Sequence, residues 1–230
     1  MAPSHQSWVS GIARWLLVIA GCYLLAALLH RTEWYRDLLC ARVLEEPSPS
    51  REQSAHALAR VGGEDRLFEL LQHPKAPVRE AARTALDALW FGAEGAPAAR
   101  QLLAATEAIN DERYDEALAR LDELIQRRPR YAEALNRRAS LHWQLGRPGA
   151  SIRDCERALE VNPRHYGAWQ GLGLCHLHLG NNESARNCLQ MYLQLQPHDA
   201  TAREWLQQCD GTQGSVFERS GGRQTGSPPL

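Results

Sequence analysis

Hydrophobic residues fall along this chain in three different patterns. Residues 15–29 carry no charge and are almost wholly apolar, and with Ile12 and Ala13 the stretch runs from 12 to 29, broken only by Arg14. A run that is apolar on every side predicts a membrane-spanning helix over 12–30, behind a short tail over 1–11, because about 20 such residues cross a bilayer. Trp8, Trp15, Trp34 and Tyr35 flank it as an interfacial belt would. From 31 to 91 the apolar positions recur in shorter, helically spaced groups: Trp34, Leu38, Leu39, Val43 and Leu44, then Leu67, Phe68, Leu70 and Leu71. From 98 to 209 helical spacing continues under a longer period. Pro129, Pro163 and Pro197 are 34 apart, and Gly146 and Gly180 share that interval. The patterned segments read as helices, so the expected fold is all-α.

A 34-residue period in a helical sequence resembles tetratricopeptide repeats. Trp169, Leu172-Gly173, Ala185, Leu189 and Pro197 carry the resemblance best, over a third unit at 166–199. The second unit, 132–165, keeps Leu135, Ala139, Ala158 and Pro163 but places Arg138 at the family's leucine, His142 at its aromatic and Ser151 at its usual alanine. The first, 98–131, has Ala104-Ala105 for Leu-Gly and is in pattern from Tyr114 through Ala117, Leu118 and Leu121 to Pro129. Small residues at Ala105, Ala139, Gly173, Ala117 and Ala185 let paired helices approach closely. Residues 200–209, with Trp205 and Leu206 on one face, read as a closing cap helix. The Gly-, Ser- and Pro-rich remainder, 210–230, reads as disordered.

The earlier segment carries its own repeat. Pro49-Ser50-Arg51-Glu52 and Pro77-Val78-Arg79-Glu80 are related by a shift of 28, which also lays Ala57-Leu58 on Ala85-Leu86. Proline opening a helix, an Ala-rich second helix and a preceding amphipathic stretch resemble HEAT repeats over 31–91. Only 92–97 separates the two arrays, so one continuous α-solenoid superhelix is expected, with Trp90 and Phe91 packed between them.

Charge changes this picture little. Lys and Arg number 26 against 27 Asp and Glu, so no global field points to nucleic acid. Arg127, Arg128, Arg130, Arg137 and Arg138 form a local basic cluster, read as a solvated face balanced by Asp122, Glu123 and Glu133. The six cysteines include no CxxC pair and no zinc-ligand spacing, and read as unpaired packing thiols. Cys175, His176 and His178 point apart on a helix and cannot converge on one metal. No phosphate loop, metalloprotease pair or nucleophile elbow is present, so neither catalysis nor a cofactor, metal or small-molecule substrate is expected.

The tetratricopeptide resemblance implies a concave groove that holds a partner's peptide or helix. Its candidate lining is Leu102, Thr106 and Ile109, then Glu133, Asn136, Arg137, Ser140 and Trp143, then Gln170, Leu174 and His178. Leu102, Thr106, Gly167 and Gly171 stand where some relatives place a carboxylate clamp, so a chaperone-tail clamp is not expected. Trp143 with Arg137 is the expected anchor pair. Together with the apolar N-terminus these features predict a membrane-anchored adaptor. Arg31, Arg36 and Arg42 against Arg14 place its body in the cytoplasm. The alternative is a periplasmic or outer-membrane lipoprotein acting as an assembly chaperone, lipidated at Cys22 in the string Ile19-Ala20-Gly21-Cys22.

Overall fold

The computed structural model of the protein describes residues 15, 16, 18–22 and 32–211. From Glu33 onward these residues form an all-helical chain: α1 (Glu33–Glu45), α2 (Ser50–Arg60), α3 (Glu64–Leu71), α4 (Ala76–Phe91), α5 (Gly95–Asn110), α6 (Tyr114–Arg127), α7 (Ala132–Gln144), α8 (Pro148–Val161), α9 (Tyr166–His178), α10 (Asn182–Leu195) and α11 (Ala200–Gly211).

Local chemistry sets these boundaries. Pro77 and Pro148 sit in the first turns of α4 and α8, where a missing N–H costs nothing. Each of α6, α8 and α10 stops two residues short of Pro129, Pro163 or Pro197. The first helix of each repeat ends in a reversal that needs a positive φ, at Gly146 (67°) and Gly180 (76°). In both, the next residue closes the turn, Arg147 N–H donating to His142 O and Asn181 N–H to His176 O, each at 2.9 Å. The first repeat makes the same closure, Arg113 N–H to Ala108 O at 2.8 Å, but its left-handed residue is Glu112 at φ 59°. A side chain there costs about 1 kcal/mol. Glu112→Gly is therefore expected to raise stability by about 0.5 kcal/mol, seen as a higher urea midpoint at unchanged slope.

α5–α6, α7–α8 and α9–α10 pair as helical hairpins, and α11 closes the array through Trp205, Leu206 and Cys209 against Ala185 and Leu189. Close approach governs the third pair, where a Cβ on Gly173 would lie 3.0 Å from the Leu189 side chain. The departures of the second unit answer one another. Arg138 holds buried Asp154 with two bonds of 2.7 Å and reaches Asp122 at 2.6 Å, while His142 Nε2 stands 3.9 Å from Asp154. An ion pair thus fills the place of a leucine and an aromatic ring. The rest of the basic cluster is largely paired too, Arg127 with Glu123 and Arg128 with Glu94.

The all-α solenoid character stands, but the two arrays do not run end to end. α1–α4 fold back and lie alongside the later hairpins, docked on the edge formed by the inter-repeat turns. The Tyr131 hydroxyl donates to Phe91 O at the first turn. Trp90 stacks on His165 at the second (4.7 Å between centroids, 25° between planes). Gln72 donates to Gln194 O and His198 contacts Gln72 O at the third. Contacts spanning 126 residues are foreign to a solenoid, in which each unit touches its neighbours. Tyr166, Tyr192 and Ala202 consequently join the core of α1–α4. α4, about 24 Å long at 1.5 Å per residue, is the element that spans this edge.

The expected single-pass membrane localisation is corrected. Among the described residues, no helix is long and apolar enough to cross a membrane. Most of the span expected over 12–30 lies outside the described residues, and the cytoplasmic placement of the body, argued from that span, falls with it. Cys22, the residue of the lipoprotein alternative, is an exposed free thiol. The tail beyond Gly211 also lies outside the described residues.

Candidate functional site

α7 and α9 face each other across a groove whose border is completed by α4. The groove encloses about 180 Å³ and is lined by Asn136, Arg137, Ser140 and Trp143 from α7, Gly167, Gly171 and Leu174 from α9, and Arg83 and Asp87 from α4. Beneath them lie Glu133, His165, Tyr166 and Cys155. Five of the residues expected to hold a partner, Asn136, Arg137, Ser140, Trp143 and Leu174, therefore share one concavity. Their spacing explains this: 136, 137, 140 and 143 follow one helical face, as do 167, 171 and 174.

Glu133, also expected in the lining, lies in its floor, and the other candidates separate. His178 is exposed and packs edge-on against Trp143 (5.2 Å, 86°), at a distance from the floor. Gln170 is half-buried outside the lining. Leu102 and Ile109 belong to the core of the first hairpins and not to the groove. Thr106 turns its hydroxyl back to Leu102 O at 2.9 Å.

A buried ionic pair supports the floor. Glu133, 6 % exposed, accepts from Arg137 Nε at 2.7 Å and from His165 Nε2 at 3.0 Å. The tautomer follows from geometry: His165 Nδ1 accepts the Ala168 N–H at 3.3 Å as the cap of α9, which leaves the proton on Nε2 to donate to Glu133. Burial alone would push the Glu133 carboxyl up, but the contacts with His165 and Arg137 outweigh it and hold it below the usual carboxylate range. A carboxyl depressed in the folded state contributes stability above the unfolded value, about 4.3 for a glutamate, and that contribution is lost as pH falls through the folded value. Glu133→Gln is thus expected to lower the urea midpoint at neutral pH and to flatten its decline below about pH 4.

Asp87 behaves oppositely. Burial pushes its carboxyl up, although the Tyr166 hydroxyl donates to one of its oxygens. The other oxygen has no hydrogen-bond partner among the described residues. Arg137 spends only Nε on Glu133, which leaves its terminal nitrogens open at the groove. Nothing in the sequence singled out Arg83 or Asp87, because their place in the site depends on the docking of α4.

The thiols around the groove are packing groups. Cys155, Cys175 and Cys188 are free and buried, and burial pushes all three up, Cys188 to about 11. Among the described residues no group of three or more His, Cys, Asp or Glu is placed to hold a metal ion.

Models of the tetratricopeptide repeat family match residues 102–155 and 151–209. A TPR repeat-containing protein of Rhizobium etli is 33 % identical over 141 residues, 61 % of this chain and 69 % of that protein. The chain belongs to the TPR repeat proteins. It is also 35 % identical over 81 residues to the TPR repeat-containing thioredoxin TDX of Arabidopsis thaliana, 35 % of this chain and 21 % of that relative. Among solved structures it is similar to the first TPR domain of Spaghetti (RPAP3) bound to an HSP90 peptide, with 21 % identity, 49 % of this chain and 90 % of that domain covered, and a TM-score of 0.48. In this TPR chain the matched residues run from within α5 to within α11.

Proposed function

We propose that this TPR protein is an interaction adaptor that holds an extended segment of a partner protein in the groove between α7 and α9. One observation carries the reading: Asn136, Arg137, Ser140, Trp143 and Leu174 converge on a single concavity in which the Arg137 guanidinium keeps open donors beside a half-buried indole. Arginine and tryptophan supply most binding energy where such pockets are filled.

Hydrogen bonding favours an extended peptide over a helix, because an extended backbone keeps its C=O and N–H free for the open Arg137 nitrogens and the unpartnered Asp87 oxygen, whereas a helix spends them internally. We further read α1–α4, with its two proline-opened hairpins, as a HEAT-like platform that fixes α4 along the turns.

The test is a pull-down from cell extract with the full chain, comparing wild type with Trp143→Ala, Arg137→Ala. The double variant is expected to lose its specific partner by at least about tenfold while its circular dichroism stays helical. A folded variant that keeps the same partners would remove the groove from the account.

A further inference from the structure

We propose that α4 is a specificity-determining wall of this groove and that the site it completes selects an uncharged, extended peptide carrying one large apolar side chain. The proposal rests on the groove assignment made above and adds the chemistry of the occupant.

Charge balance supplies the first argument. The ionisable side chains with opposite charges at the groove are Arg83 and Arg137 against Asp87 and Glu133. Two cations face two anions, so the cavity has no net field for a charged tail. Glu133 already accepts from Arg137 on one oxygen and from His165 on the other. Arg83 is held by Glu80 on its own helix at 2.7 Å. What stays open is a donor pole, the terminal nitrogens of Arg137, and an acceptor pole, the second oxygen of Asp87. A peptide bond matches both poles without any charge: its carbonyl accepts from Arg137 and its N–H donates to Asp87.

The cavity supplies the second argument. About 180 Å³ is close to the roughly 150 Å³ of an apolar cavity that takes up a benzene, room for one large side chain. Trp143, Leu174 and Cys155 give that side chain apolar walls. Since Asp87 reaches the groove only because Trp90 and Tyr166 dock α4 on the inter-repeat edge, the recognition unit includes α1–α4 as well as the repeats.

The experiment selects binders to the full chain from a phage-displayed random heptapeptide library, then measures the recovered peptides by fluorescence anisotropy. The expected consensus holds one Leu, Met or Phe and no net charge. Its affinity changes by less than about twofold between low and high salt, because no long-range field drives it. Asp87→Asn is expected to weaken it about tenfold, since Tyr166 takes the single amide oxygen and an NH2 group replaces the acceptor. Peptides that need Trp143 but ignore Asp87→Asn would overturn this inference and leave the groove assignment intact. A consensus of acidic peptides with steep salt dependence would do the same. Recovery of no peptide, or of peptides indifferent to Trp143→Ala, would overturn the groove assignment and this inference with it.

Discussion

Arg138→Ala is expected to cost about 3 kcal/mol of folding stability, more than any other single change in the repeats. Asp154 is 6 % exposed and takes both of its hydrogen bonds from Arg138, so the truncation leaves the carboxylate only the long contacts of Arg157 at 3.8 Å and His142 at 3.9 Å. Asp122 loses a partner as well, but it is mostly exposed and water replaces the bond. The informative companion is Arg138→Leu, Asp154→Ala, which restores the leucine that the family places there and removes the charge beneath it. Replacing a buried pair by apolar groups is often neutral or favourable. The double variant should therefore return to within about 1 kcal/mol of wild type in urea denaturation. A double variant as unstable as Arg138→Ala would show that the pair is not what holds α7 to α8.

Trp90→Ala has the other large effect, about 3–5 kcal/mol lost from one interface rather than from the whole fold. The indole stacks on His165, tilts against Tyr166 at 4.9 Å and Phe68 at 6.2 Å, and donates to Glu64 at 3.2 Å. Around it Arg164 lies 4.0 Å over the Phe68 ring and 2.7 Å from Asp65, contacts on the rim that are worth little alone. Removing the indole empties the centre of the docking surface. Hydrogen exchange should accelerate across α3 and α4 while α7 to α10 stay protected, because the repeats keep their own core. Uniform loss of protection would mean that the repeats depend on α1–α4 to fold.

Sequence legibility followed the range of the interactions. The 34-residue period was readable because each repeat writes its own small residues, its prolines and its Gly146 or Gly180 locally. Glu112 escaped notice because it occupies the same register without being glycine, and only its φ reveals it. Arg138 and His142 stand out as departures in the sequence, but their common cause, Asp154, lies on another helix. In α5 residues 102, 105 and 109 share one helical face, so the close-packing position of Ala105 points Leu102 and Ile109 into the core with it. The docking of α1–α4 is legible only at Trp90 and Phe91, expected between the arrays, and its reach along the later turns has no such signal. It joins Gln72 to His198 and Trp90 to His165, and neither periodicity nor composition reports contacts of that separation.

The apolar N-terminus shows the same limit from another side. Hydropathy is a property of a segment, and it argued for a span with a definite orientation. Among the described residues no helix of that kind exists, so the account of function stands on the groove alone.

Site-specific photo-crosslinking tests that groove most directly. A benzoylphenylalanine placed at Ser140, on the groove, is compared in cell extract with one at Arg153, exposed on α8 outside the lining. The account predicts a discrete adduct to a partner protein from position 140 and none from position 153. Crosslinks from 153 with none from 140 would contradict it, because the partner would then be held outside the groove.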